Sequence, residues 1–196
     1  MLAVGTLGAS GCVPLLIGGG VTGAVLVTAD RRTSGMQLED ERIEQKFSAL
    51  VREQMPQAGR LVATSFNRIV LLTGEVRNEA DRSRATLLAQ SQENVNQVVN
   101  DLAIGAPSSI SQRTKDVVTS GQVKAAFVDA KDLQASAVKV VTERGTVYLM
   151  GRVTAREAQR ATEIARGTSG VAKVVRVFEE ISEQELQRLS QPPLSR

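Results

Sequence analysis

The chain has 196 residues and contains no histidine, no tryptophan, one tyrosine and one cysteine. Without histidine there is no imidazole for general acid and base work, no Ser-His-Asp arrangement and no imidazole metal site. A lone thiol, Cys12, can neither close an internal disulfide nor build a cysteine-rich zinc site. Aromatic residues make up only 3% of the chain, so an aliphatic core is expected and platforms for stacking single-stranded nucleic acid are scarce. The 24 basic and 21 acidic residues leave a net charge of +3, a mixed surface without the basic footprint of a nucleic-acid binder. Phosphate-binding loops are missing too: Gly18, Gly19 and Gly20 are followed by Val21 and Thr22 with no lysine, and Gly74 and Gly151 belong to neither GxxxxGK[ST] nor GxGxxG. Each of those last two glycines reads as the end of a strand, a bulge or turn where no side chain fits. The carboxylates Glu39, Asp40, Glu41, Asp129 and Asp132 read as solvated surface and helix-start charges. No catalytic residue, metal site or cofactor is expected, and no enzyme.

Residues 1–29 carry no charged side chain, and then Asp30, Arg31 and Arg32 arrive together. One reading is a membrane-crossing helix, since "VPLLIGGGVTGAVLVTA" reaches the roughly 17 to 25 residues a bilayer requires, although Pro14 and the glycine run weaken it. A second is an ordinary small buried cysteine. The third is a processed secretory signal: Ser10 and Gly11 are the small residues a signal peptidase accepts before its cleavage point. Ala9-Ser10-Gly11-Cys12 resembles the lipobox of bacterial lipoproteins, in which leucine is commoner than alanine at the first place. The usual basic segment is not found within residues 1–11, as expected of a start lying upstream. The resemblance implies a signal peptide over 1–11 and an acylated Cys12. Val13 follows, in place of the Asp that marks inner-membrane retention, which implies delivery to the outer membrane.

The rest of the chain is one unit used twice. "VLLTGEV" (70–76) aligns with "VYLMGRV" (147–153), and Val95, Val98 and Val99 correspond to Val171, Val174 and Val175, a period of about 77 residues that suits a small domain. In the first copy Ile43, Phe47, Leu50 and Val51 form a helical stripe that Pro56 ends. Two β-rich runs, 60–66 and 69–76, are parted by Asn67-Arg68, and Arg144-Gly145 takes that place in the second copy. A helix over 78–92 and a strand over 96–104 complete the first unit. The second has helices over 117–128 and 155–166, a hairpin over 137–142 and 146–153, and a strand over 171–181. "GAPSSISQ" (105–112) reads as the linker, and the residues after Ile181 as a tail that frays.

This order of elements, the "VxLxGxV" strand and the late "GVxxVV" run (Gly170, Val171, Val174, Val175) resemble the BON domain. Two copies behind a lipobox resemble the dual-BON outer-membrane lipoprotein family. The resemblance implies an α+β fold of two tandem BON domains, each helix-strand-strand-helix-strand with its helices packed on a three-stranded sheet. It places a lipidated linker over 12–38, the first domain over 39–105, a linker over 106–112, the second domain over 113–181 and a flexible tail over 182–196. The first copy departs in having Asn94 where the second has Gly170. The family implies no enzymatic activity; it is associated with phospholipid surfaces and envelope integrity.

Charge separates the two copies. Residues 39–53 hold Glu39, Asp40, Glu41, Glu44 and Glu53 against Arg42, Lys46 and Arg52, a net of −2. Residues 113–131 hold Arg113, Lys115, Lys124 and Lys131 against Asp116 and Asp129, a net of +2. Anionic headgroups attract each nearby lysine or arginine by about 1 kcal/mol, so the second copy is the better face for an anionic phospholipid membrane. Lys115, Val117, Val118, Lys124 and Lys131 are the expected phospholipid-binding residues, with the valines dipping into the headgroup layer. The competing reading makes those valines core and the lysines a solvated face. Envelope proteins are alternative partners, nucleic acid is not expected, and a monomer is.

Overall fold

Thr33 starts the first regular element by accepting from the Met36 amide, the N-cap bond that satisfies an otherwise orphaned donor. The computed structural model describes residues 30–190; the lipobox, Cys12 and the alternative membrane helix lie outside them. Helix α1 spans Ser34–Gln54, followed by strands β1 (Gly59–Phe66) and β2 (Ile69–Val76), helix α2 (Glu79–Gln90) and short strands β3 (Gln97–Asn100) and β4 (Ala103–Ile104). The second unit runs α3 (Ile110–Asp129), a 3₁₀ turn at Ala135–Ala137, β5 (Val138–Glu143), β6 (Thr146–Val153), α4 (Ala155–Gly167) and β7 (Lys173–Glu180). Helix α5 (Glu183–Ser190) closes the described chain. The expected α+β architecture is what the structure contains.

In both sheets the middle strand pairs antiparallel with its hairpin partner and parallel with the returning strand, in the orders β1-β2-β3 and β5-β6-β7. The β2 face carrying Val70, Leu72 and Val76 packs on Ile43, Phe47, Ala85 and Ala89 from the helices. Val147, Leu149 and Val153 of β6 likewise pack on Val123, Phe127, Ala158, Ala161 and Ala165. Strand side chains alternate between faces, so Leu71, Tyr148 and Met150 point the other way. They meet Phe66 and Val177 in a third core that joins sheet to sheet. The four positions shared by the two strands, 70/147, 72/149, 74/151 and 76/153, are the helix-facing set. The face that differs is the one each unit turns to the other.

The glycines within these strands are packing glycines. A Cβ on Gly74 would lie 2.0 Å from the Arg60 carbonyl oxygen, and one on Gly151 would lie 2.3 Å from that of Ala137. Both sit inside their strands rather than at the ends.

Several boundaries differ from the sequence reading, each for a local reason. Helix α1 begins at Ser34, inside the expected 12–38 linker, because Thr33 caps it. Helix α3 begins at Ile110, inside the expected 106–112 linker, because Ser109 accepts from the Gln112 amide. The expected strand over 96–104 is broken where Asn100 Oδ1 accepts from the Leu102 amide and Leu102 turns into the core. The expected flexible tail contains α5, capped by Ser182 and pinned by an Arg152–Glu185 ion pair of 2.6 Å.

Candidate functional site

Asp40 and Asp116 occupy matching places on the first helix of each unit, and both are buried. Asp40 accepts from the Ser65 hydroxyl at 2.7 Å, from the backbone amides of Asn67 at 2.7 Å and Arg68 at 2.9 Å, and from Arg32 at 2.8 Å. Asp116 accepts from the amides of Arg144 at 2.8 Å and Gly145 at 2.9 Å. Each carboxylate therefore clamps its hairpin turn, whose residues have φ of 49° and 68° in the first copy and 53° and 73° in the second. Three of those four are not glycine, and the charge-assisted bonds help to hold them in a region L-residues seldom adopt. Asp40 is thus a buried clasp, not the solvated charge expected from sequence.

The arginines after the uncharged segment also face inward. Arg31 forms a bidentate pair with Glu157, at 2.7 and 2.8 Å, and donates to the Arg152 carbonyl and to Gln134. Burial opposes ionisation of Glu157, but bonds from Arg31 and the Thr154 amide outweigh it and hold the carboxyl below its ordinary range. Arg32 bonds Asp30 and Asp40 and lies over the Phe66 ring. Through this pair of arginines the chain leading from residue 29 is fastened to both units.

Further polar bonds bridge the units. Tyr148 donates to Asp101 at 2.6 Å, Lys139 pairs with Glu44 at 3.1 Å, and Arg60 pairs with both Glu75 and Glu143. Burial, then the Asp101 carboxylate, pushes the Tyr148 phenol far above its usual range, so it acts as a neutral donor. Among the described residues no group of three or more metal-capable side chains converges.

Helix α3 departs from the pattern of a surface helix. Its inner stripe is Asp116, Thr119, Val123 and Phe127. Its outward face carries Ile110, Val117, Val118 and Val128, exposed at 75%, 71%, 54% and 73%. Val117 and Val118 are therefore not core valines. Lys115 and Lys124 are exposed beside this stripe, and neither forms an ion pair among the described residues. Lys131 is exposed in the loop just after the helix.

The five expected lipid-contact residues thus fall on or next to one helix. Lys124, Val117 and Val118 share its outward side, Lys115 lies on the flank, and Lys131 stands apart beyond the C-cap. Ile110 and Val128 belong to the same face and were missed. Ser109-x-x-Gln112 was a legible helix start, and extending the helix to it would have brought Ile110 onto the stripe. On α1 the positions matching Ile110, Val117, Val118 and Val128 are Ser34, Glu41, Arg42 and Arg52. Among the described residues α1 exposes a single large aliphatic side chain, Leu38, where α3 exposes four.

Two sheet-and-helix units docked through their sheets, with an apolar helix face exposed among the described residues, define the class: a tandem repeat of small α+β modules. The BON domain model matches residues 39–106 and 115–180. The chain is 42% identical over 176 residues to "Outer membrane lipoprotein DolP" of Haemophilus influenzae, covering 88% of this chain and 90% of that protein. It is 29% identical over 151 residues to a "21 kDa hemolysin" of Actinobacillus pleuropneumoniae, covering 76% and 78%. Similarity to "Osmotically-inducible protein Y" of Escherichia coli is 27% over 144 residues, covering 71% and 72%. The chain belongs to the dual-BON lipoprotein family.

Proposed function

We propose that this is a non-enzymatic envelope protein, acylated at Cys12 and held at the periplasmic face of the outer membrane, that binds anionic phospholipid through its second BON domain and helps maintain membrane integrity. The outward face of α3 carries the reading. A soluble helix that turns four large aliphatic side chains away from its own core exposes apolar area that water disfavours. Lys115 and Lys124 beside that area, without ion pairs among the described residues, suit a surface that is anionic outside and apolar within. Family membership and the name of the Haemophilus relative support the outer-membrane placement. An acyl anchor together with this face supplies the two signals that stable attachment requires.

The test is vesicle flotation of the chain from Asp30 onward, which contains all three cores. Binding to phosphatidylglycerol-containing vesicles is expected to fall by about tenfold on combining Val117→Asp with Lys124→Glu, while the same changes at the matching α1 positions are without effect. Unchanged flotation of the α3 variant would overturn the reading.

A further inference from the structure

The flank of α3 that carries Lys115 borders a groove of about 330 Å³, mainly apolar, between the helix and two turns of its own domain. Val118, Thr119 and Gln122 line the helix side, and Gly145 and Gly170 the turns. Val118 also belongs to the outward stripe, so the groove opens directly beside the face assigned to the membrane.

The two copies differ in the side chains they place around this space. The residues at the matching positions of the first domain are Arg42, Ile43 and Lys46 on the helix, and Arg68 and Asn94 on the turns. Every one is larger than its counterpart. Glu39 stands where the second copy has Lys115, and its carboxylate accepts from Asn94 Nδ2 at 3.0 Å, bridging helix to turn across the corresponding gap. In the second domain that bridge has no equivalent, because Gly170 has no side chain and Lys115 is a cation. The turn conformation is shared, with φ of 67° at Asn94 and 84° at Gly170. On one backbone frame, the second copy thus surrounds the groove with smaller side chains than the first has at the same places.

Its chemistry selects an occupant. At the inner end Asp116 has both carboxylate oxygens engaged by the Arg144 and Gly145 amides. A phosphate placed there would meet a second anion, whereas an apolar chain would not. Lys115, without an ion pair among the described residues, is the cation for an anionic group at the mouth. We infer that the groove takes one acyl chain of an anionic phospholipid, with the lipid phosphate paired to Lys115. This deepens and rests on the lipid-binding reading of the second domain. It adds a stoichiometric single-lipid site to a surface that would otherwise only lie on the bilayer.

The experiment titrates the chain from Asp30 onward with dihexanoyl phosphatidylglycerol below its micelle-forming concentration, following backbone amide resonances. Saturable shifts are expected at Gly145, Gly170 and Thr119. Glycerol phosphate, which lacks the chains, and dihexanoyl phosphatidylcholine, which lacks the net charge, are each expected to bind about tenfold more weakly. Gly170→Asn, restoring the first copy's residue, is expected to weaken the short-chain lipid by about tenfold and leave vesicle flotation within about twofold. Lys115→Glu, an exposed substitution that avoids the turn, is expected to abolish the preference for phosphatidylglycerol over phosphatidylcholine. Shifts confined to Ile110, Val117 and Val128, or undiminished binding by both variants, would overturn the groove site while leaving surface docking intact. Loss of both flotation and all shifts in the unaltered chain would overturn the two readings together.

Discussion

Replacing Asp40 by alanine tests the clasp from which the first hairpin hangs. The substitution removes the acceptor for the Asn67 and Arg68 amides and for the Ser65 hydroxyl. The carboxylate is 2% exposed, so water has little access to replace it. Leaving a buried donor unsatisfied costs roughly 1–3 kcal/mol, and bonds to a charged acceptor lie toward the upper end. Two orphaned amides, with the hydroxyl free to rotate elsewhere, therefore cost about 3–5 kcal/mol. In a body of this size each kcal/mol moves the midpoint by about 2–4 °C, so a drop of about 6–20 °C is expected. The assay is thermal unfolding by circular dichroism, with amide exchange at Asn67 and Arg68 as the local readout. Glu41→Ala serves as the neighbour control: Glu41 is exposed and meets only Gln45, at 3.3 Å, and a change of less than about 2 °C is expected. Asp40→Asn should fall between, since the amide keeps one acceptor oxygen but turns donors toward a donor. If Asp40→Ala and Glu41→Ala melt alike, the buried clasp is refuted and Asp40 is surface charge after all.

Three further outcomes follow from the same structure. Glu157 has a folded pKa below its ordinary 4.5, so its pair with Arg31 adds stability that is complete above the unfolded value and is lost as pH falls through the folded one. Glu157→Gln should therefore lower the melting temperature near neutral pH and narrow its gap from the unaltered chain progressively as pH falls below the ordinary carboxyl value of 4.5; a gap constant with pH would refute this. Gly74→Ala places a Cβ 2.0 Å from a carbonyl oxygen at φ +110° and should cost about 2–4 kcal/mol in urea unfolding. Gly121→Ala on α3, where a Cβ meets nothing within 4 Å, should instead stabilise by about 0.5–1 kcal/mol; equal effects at the two glycines would refute the packing account.

The fold was legible because the duplicated face is the one that packs within each unit. Val70, Leu72, Gly74 and Val76 recur as Val147, Leu149, Gly151 and Val153, and conserving one sheet-on-helix geometry twice leaves a visible period of two. The docking of the units was not legible for the complementary reason. Leu71, Thr73 and Glu75 face a partner surface that differs from the one facing Tyr148, Met150 and Arg152, so the two copies need not match there. Asp40 was misread because local composition places it in an acidic run; its burial depends on a turn 27 residues later, a distance at which sequence periodicity carries no information.

The candidate site was half legible, and the missing half is instructive about duplicated modules. Net charge separated the two first helices correctly in sign, but charge alone does not say which side of a helix faces out. That follows from Asp116, Thr119, Val123 and Phe127 pointing inward, which compels Ile110, Val117 and Val128, on the opposite side of a 3.6-residue turn, to point outward. In the first copy the same geometry exposes Ser34, Glu41 and Arg52, and Leu38, 67% exposed, is the one large aliphatic side chain that α1 turns to solvent. A fold that tolerates polar residues at these places in one copy does not need aliphatic ones there in the other for its own stability. The Ile, Val and Val of α3 are therefore not dictated by the fold the two copies share, and on the proposed reading they, with the glycine at 170, serve an anionic lipid surface that Lys115 and Lys124 face.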